Sequence, residues 1–296
     1  MLQRRFLLTA TTLSALLFSA AALAHDTWFR ALPADGGAPL LALGTGTRFP
    51  AQESGIGVEY LARQGCSLPA ADVGTRARKT QPVQRLKPLR NVANALLLRG
   101  PAQAQSCWVQ LQPLEIELAP DKVQLYLREV QADSALRAAW ADIQQRGLPW
   151  KERYTKHARI DFGPGVAQPV PMGMDIVREP SDDGSLSFRV YRDGQPLPGL
   201  AVEWVSDSIA LGIWRRSDAD GRVKVPALPA GRWVLRAIDL RLSTVEPDHW
   251  DSRFVTLAFE VPQAAVSASA SASASAAASA SASASASASA PMPPPR

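Results

Sequence analysis

Residues 187–195 read Ser187-Phe188-Arg189-Val190-Tyr191-Arg192-Asp193-Gly194-Gln195, and this stretch decides the fold class. Apolar and polar residues alternate through its first five positions, which is typical of a half-buried β-strand. Asp-Gly is a favoured dipeptide of two-residue hairpin turns, so the chain should reverse here and enter another strand. The stretch therefore predicts an antiparallel sheet.

Short strand-like segments separated by turn residues continue on both sides of this hairpin. Downstream they cover residues 200–205, 222–225, 232–237 and 254–261, with turns at 196–199, 217–221 and 229–231. Upstream, apolar runs at 40–43, 95–98 and 108–111 are broken by Gly and Pro, and residues 115–118 and 123–127 alternate with period two. Several short strands at this spacing predict β-sandwiches.

One segment departs from this pattern. Leu136, Trp140 and Ile143 recur at spacings of four and three, which indicates one face of a helix. Asp133 or Ser134 can cap its start, and Gly147 is suited to its end. We therefore predict a mainly β fold with two β-sandwich domains, over residues 25–165 and 172–262, and one helix near residues 133–146 inserted in the first. Residues 263–296 are rich in Ser and Ala and lack large apolar side chains, so a disordered tail is expected.

The first 24 residues have the organisation of a secretory signal peptide. Arg4 and Arg5 form a charged start, residues 6–17 are mostly apolar, and Ala22-Leu23-Ala24 is a small-x-small cleavage signal before His25. The adjacent arginines leave both the general secretory and the twin-arginine routes open. No later run reaches the length of a membrane span, so we expect a soluble periplasmic or secreted protein with no transmembrane anchor.

The charge of the chain bears on nucleic-acid binding, and its cysteine content bears on disulfide formation. The net charge is +5 at a pI of about 9.5, but no Lys/Arg-rich stripe with interleaved aromatic residues is present, so nucleic-acid binding is not expected. The chain has two cysteines, Cys66 and Cys107. An even count in an exported chain predicts a disulfide between them.

His25 becomes chemically distinctive if the leader is removed after Ala24. Its free α-amine and ring Nδ1 would then lie close enough to chelate one metal ion, since the amine loses its proton readily near neutral pH when a metal competes for it. The chain has two further histidines, His157 and His249. The alternative is that a cleavage site happens to precede a histidine, and that His157 is a surface residue on an edge strand.

Several motifs, taken in order, resemble those of the NikM-like exported proteins. They are residues 25–29 (His-Asp-Thr-Trp-Phe), 126–127 (Tyr-Leu), 152–158 (Glu-Arg-Tyr-Thr-Lys-His-Ala), 171–174 (Pro-Met-Gly-Met), 194–197 (Gly-Gln-Pro-Leu) and 250–259 (from Trp-Asp-Ser to Leu-Ala-Phe). The second half is also similar to transthyretin-like or carboxypeptidase-regulatory sandwiches, through residues 196–199, 218–221 and 229–231.

The resemblance implies a periplasmic component of nickel or cobalt uptake, with a membrane metal transporter as partner. It places the family's N-terminal histidine on His25. Relatives often carry another histidine in the strand that begins Gly-Arg-Trp, and this chain has Asp239 there, with His249 downstream as a substitute.

We therefore expect one Cu, Ni or Co ion held by His25, because nitrogen-rich sites favour these metals. His249 is the favoured partner, since it follows a loop-like Glu-Pro-Asp and sandwich loops gather where an N-terminus can meet them. His157 is the second candidate, and Asp26, Asp239 or Asp248 could add an oxygen ligand or orient a histidine.

Other functions remain open. The chain could be a histidine-brace copper oxidase that acts on polysaccharide, or a non-catalytic scaffold or adhesion module. A non-enzymatic role is favoured, and acyl transfer is poorly supported because no Gly-x-Ser-x-Gly elbow is present.

Overall fold

The computed structural model describes residues 25–34, 36–69, 82–163, 168–181, 185–209, 211–225 and 227–263. The predicted signal peptide, with its cleavage point after Ala24, and the Ser/Ala-rich tail from residue 264 onward lie outside the described residues. Residues 164–167, near the boundary between the two predicted domains, also lie outside them. Within the described part of the chain, no helix has the length and apolar character needed to cross a membrane.

The described chain is mainly β, as predicted. Its strands are β1 (Asp26–Leu32), β2 (Leu40–Gly46), β3 (Ser54–Gly55), β4 (Leu61–Ser67), β5 (Val83–Gln84), β6 (Lys87–Val92), β7 (Ala95–Arg99), β8 (Ser106–Leu111), β9 (Leu114–Leu118), β10 (Trp150–Asp161), β11 (Met174–Glu179), β12 (Leu186–Arg192), β13 (Gln195–Pro196), β14 (Ala201–Ser206), β15 (Ile213–Arg216), β16 (Arg222–Val225), β17 (Gly231–Leu242) and β18 (His249–Val261). The helices are α1 (Pro120–Glu129) and α2 (Ser134–Gln145), with a short 3-10 turn at Val58–Tyr60.

The strands form three sheets. The central sheet has the order β15-β14-β17-β18-β10-β8-β4-β5, with β9 also paired to β10. The front sheet has the order β1-β2-β7-β6, with β3 paired to β2, and the back sheet contains β11, β12, β13 and β16. The central sheet thus takes strands from both halves of the chain, and it joins them through the parallel pair β10 and β18, in register from Lys151 opposite His249 to Ile160 opposite Ala258.

Two sandwich cores lie on opposite faces of the central sheet. On one face, Ala158 and Ala258 pack in a core with Leu41, Leu43 and other residues of the front sheet. On the other face, Val255 and Leu257 pack with residues of the back sheet such as Ile176, Phe188 and Val190. Because neighbouring residues of β18 point to opposite faces, a strand buried on both sides needs the nearly continuous apolar run seen at 254–259.

The two helices cover the front face of the central sheet beside the front sheet. Trp140 and Ile143 of α2 pack with Val123 and Leu127 of α1 against a tryptophan pair of the sheet, Trp150 and Trp250, whose rings stack at 4.3 Å between centroids. Helix α2 confirms the predicted helix. Its N-cap is Asp133, whose side chain accepts a hydrogen bond from the Leu136 N–H, and Gly147 follows its end with φ +73°.

Two sequence predictions are corrected. Residues 123–127, predicted as a strand, lie in α1, because Val123, Tyr126 and Leu127 are spaced to share one buried helix face. Pro120 at the first turn also suits a helix start. The strand that carries His157 is β10, which lies between β18 and β8 in the central sheet and is therefore not an edge strand.

The predicted disulfide between Cys66 and Cys107 is present and buried. The two residues lie directly opposite each other on neighbouring strands, β4 and β8. This bond joins segments 41 residues apart in sequence, and a disulfide is compatible with an oxidising compartment.

Candidate metal centre

The start of β1 is held firmly against the central sheet. The Lys156 ammonium donates to the His25 carbonyl at 2.7 Å, and Arg236 donates to the Asp26 carboxylate at 2.5 Å. Thr256 donates to the Thr27 carbonyl at 2.6 Å. Three successive residues are therefore anchored from different strands, so the position of His25 is fixed by the fold.

The imidazole of His25 is oriented by Thr47 and Glu53. Its Nε2 lies 3.1 Å from the Thr47 hydroxyl and 3.6 Å from a Glu53 carboxylate oxygen. Thr47 donates its hydroxyl proton to Glu53 at 2.9 Å, so the threonine oxygen accepts from Nε2–H. In the neutral imidazole this arrangement favours the tautomer with the proton on Nε2, which has a lone pair on Nδ1. Among the described residues, the polar contacts of the ring are all made through Nε2.

Glu53 is itself held as a carboxylate. The backbone N–H and the hydroxyl of Thr47 both donate to it, and these hydrogen bonds lower the pKa of Glu53 below its ordinary value. Its own backbone N–H donates to the Thr45 carbonyl at 2.8 Å. Glu53 can therefore act as a fixed acceptor behind His25, in the way that carboxylates commonly support metal-bound imidazoles.

Lys156 brings a positive charge to the same end of the molecule. Its ammonium lies over the rings of Tyr154 and Phe254, at 5.5 and 5.7 Å from their centroids. Burial lowers the pKa of Lys156 to about 8.

His157 follows Lys156 in the chain, yet it lies on the opposite face of β10 because side chains alternate along a strand. It is buried, and its Nδ1 bonds to the Phe254 carbonyl at 2.9 Å. Its Nε2 has no partner among the described residues. The Arg253 guanidinium borders the same small space beside Gly173, and a cation there would repel a metal ion.

His249 is separated from His25 along the sheet. Lys156, which contacts His25, is five residues from Lys151, the register partner of His249, and this spacing corresponds to roughly 16 Å. Both ring nitrogens of His249 face carboxylates, Nε2 that of Glu115 and Nδ1 that of Glu246, each at 3.0 Å. The side chain is thus engaged in an ion-pair cluster, which Arg153 completes by binding both carboxylates.

Asp239 is also engaged in ion pairs. Its carboxylate pairs with the guanidinium groups of Arg192 and Arg241, so its charge is already balanced. Asp248 pairs with Arg146.

The structure therefore brings none of His157, His249 and Asp239 to His25. Across the described ranges, no three His, Cys, Asp or Glu side chains converge as a metal site. Neither a protein-family model nor a curated protein matches this chain. The NikM-like and transthyretin-like resemblances consequently stay predictions that rest on their motifs.

Sequence reasoning missed Thr47 and Glu53. They lie in the loop region between β2 and β3, more than twenty residues from His25, and no local pattern marks them. Lys156 was visible only as a charge beside His157, and its contact with His25 depends on how β1 docks on β10.

Proposed function

We propose that the mature, exported chain binds one divalent first-row transition metal ion, Cu, Ni or Co, through the α-amine and Nδ1 of His25, and that it serves metal uptake or handling outside the cytoplasm. The observation that carries this proposal is the hydrogen-bond chain from His25 Nε2 through Thr47 to Glu53. That chain directs the ring proton away from Nδ1 and so prepares Nδ1 as a ligand.

The donor set fits these metals. An amine and an imidazole nitrogen are borderline ligands that suit Cu(II) and Ni(II) better than Mg²⁺ or Ca²⁺. Glu53 and Thr47 would hold the ring in one orientation and raise the basicity of Nδ1, as supporting carboxylates do in known sites.

The site offers two protein nitrogens, and the remaining coordination positions would be open to water or to ligands from a partner. An open site releases its ion more readily than a closed one, which suits a protein that takes up a metal and passes it to a membrane transporter. A histidine-brace oxidase would need a second histidine beside His25, and neither His157 nor His249 reaches it. Metal handling therefore fits the surroundings of His25 better than an oxidase activity does.

The N-terminus itself provides the decisive experiment. Isothermal titration of CuCl₂ and NiCl₂ into the mature protein should give one site per chain. A variant with one glycine added before His25 should bind at least about 100-fold more weakly, because the amine no longer shares a chelate ring with Nδ1. Equal affinity of the native and extended proteins would refute the proposal.

Matched variants test whether metal affinity depends on the residues that orient His25 or on surface charge in general. Glu53→Gln should weaken metal binding by about tenfold or more, in line with the loss of other supporting carboxylates. Glu59→Gln removes an exposed carboxylate of the neighbouring 3-10 turn and should leave the affinity unchanged. His249→Ala should also have little effect, because His249 lies far along the sheet.

A further inference from the structure

A cavity of about 200 Å³ opens beside His25, between the β2–β3 end of the front sheet and strands β8 to β10 of the central sheet. Its walls are largely apolar and include Ile56, Leu111, Leu114 and the rings of Tyr60 and Tyr154. We call this cavity the tyrosine pocket. It is smaller than the roughly 300 Å³ at which drug-sized sites begin, so it suits a ligand of about ten non-hydrogen atoms.

Lys156 supplies the positive charge of the tyrosine pocket. An ammonium group has three N–H donors, and within the described part of the chain Lys156 donates one hydrogen bond, to the His25 carbonyl. Asp26, the nearby carboxylate, is paired with Arg236 instead. The ammonium can therefore donate to a ligand oxygen at the pocket wall.

We propose that the tyrosine pocket binds a small organic carboxylate with a flat apolar body, with the carboxylate on Lys156 and the body against Tyr60 and Tyr154. The charge of Lys156 selects an anion, and a charge-assisted hydrogen bond is about twice as strong as a neutral one. The aromatic and aliphatic walls select an apolar body, which free phosphate and sulfate lack. This inference needs no metal at His25.

Benzoate is a suitable probe, and benzyl alcohol is its uncharged counterpart. Both would be titrated into the exported protein in EDTA, followed by ligand-observed NMR and calorimetry at pH 7. Benzoate should bind in the range of about 0.1–1 mM, as expected for so small a ligand, and more tightly than benzyl alcohol.

Two variants test the two halves of the proposal. Lys156→Met keeps the apolar stem and should weaken benzoate binding about tenfold while changing benzyl alcohol binding little. Leu114→Trp enlarges a partly exposed side chain at the pocket and should weaken both probes about tenfold by filling the cavity. Leu125→Trp, on an exposed position of α1 outside the pocket, is the matched control and should bind like the native protein.

The proposal is overturned if benzoate does not bind at millimolar concentrations, or if both Lys156→Met and Leu114→Trp bind it as the native protein does. Because EDTA removes free metal, the result is independent of the metal experiment. A chain that binds benzoate but no metal would refute the proposed function alone.

Discussion

At the scale of single residues, burial shifts the pKa values of two groups on the same side of the central sheet in opposite directions. Burial lowers the pKa of His157 to about 4, and the neighbouring Arg253 adds to the effect. Burial raises the pKa of Asp175 to about 6, although Arg159 pairs with it at 2.9 Å and opposes the shift. Compared with the unfolded chain, folding therefore shifts both groups towards their neutral forms.

These shifts have opposite consequences for stability. The unfolded chain protonates His157 below about pH 6.5 and the folded chain does not, so the contribution of His157 to stability falls as pH decreases from about 6.5 to 4. The unfolded chain ionises Asp175 above about pH 3.8, so the contribution of Asp175 to stability falls as pH rises from about 3.8 to 6. In the native protein the two effects partly cancel over one pH window.

Removing either group should expose the effect of the other. We expect His157→Gln to make the free energy of unfolding fall more steeply with rising pH between about 4 and 6.5. Asp175→Asn should make it rise more steeply over the same range. Each change should reach at most about 3 kcal/mol, the free-energy equivalent of shifts of this size. Urea unfolding followed by tryptophan fluorescence at several pH values measures this, and slopes identical to the native slope would contradict it.

At the scale of elements, β10 combines a charged sequence with a buried position. This is possible because most of its buried polar side chains have hydrogen-bond or ion-pair partners, on neighbouring elements or within β10 itself. Glu152 is fully buried and accepts hydrogen bonds from Tyr126 of α1 at 3.0 Å, from the Trp150 indole at 2.8 Å and from Ser252 of β18. Burial raises the pKa of Glu152 above its ordinary value, although the hydrogen bonds from Ser252, Trp150 and Tyr126 oppose the shift. This carboxyl group links α1 to the sheet.

Two single substitutions should weaken the link between α1 and β10 to different extents. Tyr126→Phe should lower the free energy of unfolding by about 1–2 kcal/mol, because one buried hydrogen bond is lost. Glu152→Ala should lower it by about 3–4 kcal/mol, because it leaves a cavity and strands the Trp150 indole donor. Leu125→Ala, exposed on the same helix, should cost less than about 1 kcal/mol. Equal losses for all three variants in urea unfolding would show that Glu152 has no special role.

The disulfide joins the neighbouring strands β4 and β8. We expect Cys66→Ala combined with Cys107→Ala to lower the free energy of unfolding by about 2–4 kcal/mol, since the bond restricts the unfolded chain. The native protein unfolded in dithiothreitol should match the double variant. Urea unfolding would contradict this expectation if the double variant were as stable as the oxidised native protein.

At the scale of the whole molecule, the central sheet makes the two halves depend on each other. β10 and β18 pair over ten register positions, and Arg159 of β10 binds Asp175 of β11 in the back sheet. Separating the halves would expose the edges of two long strands and an apolar face of each core.

We therefore expect residues 25–165 and residues 172–262, produced separately, not to fold on their own, and the native chain to melt in one cooperative transition. Calorimetry of the native protein and two-dimensional NMR of each half provide the measurement. Two resolved transitions, or a dispersed spectrum from an isolated half, would instead support two independent domains.

The sequence alone determined the features that depend on neighbouring residues. Alternation and the Asp193-Gly194 turn, where both residues have positive φ, predicted strands and a hairpin, and the capped apolar repeat predicted α2. The cysteine count predicted the disulfide. Residues 123–127 were assigned to the wrong element because five residues fit both a strand period and a helix period. The position of Pro120 at the first turn and the packing against Trp150 fit the helix.

Tertiary structure alone decided which side chains meet. His25 was recognisable from a local motif, but Thr47, Glu53 and Lys156 reach it from segments 22 to 131 residues away. Likewise, the separation of His249 and His157 from His25 follows from the parallel register of β10 and β18 and from side-chain alternation. Strand order and register are set by the burial of both faces of the central sheet, which is a property of the assembled chain and not of any local stretch of sequence.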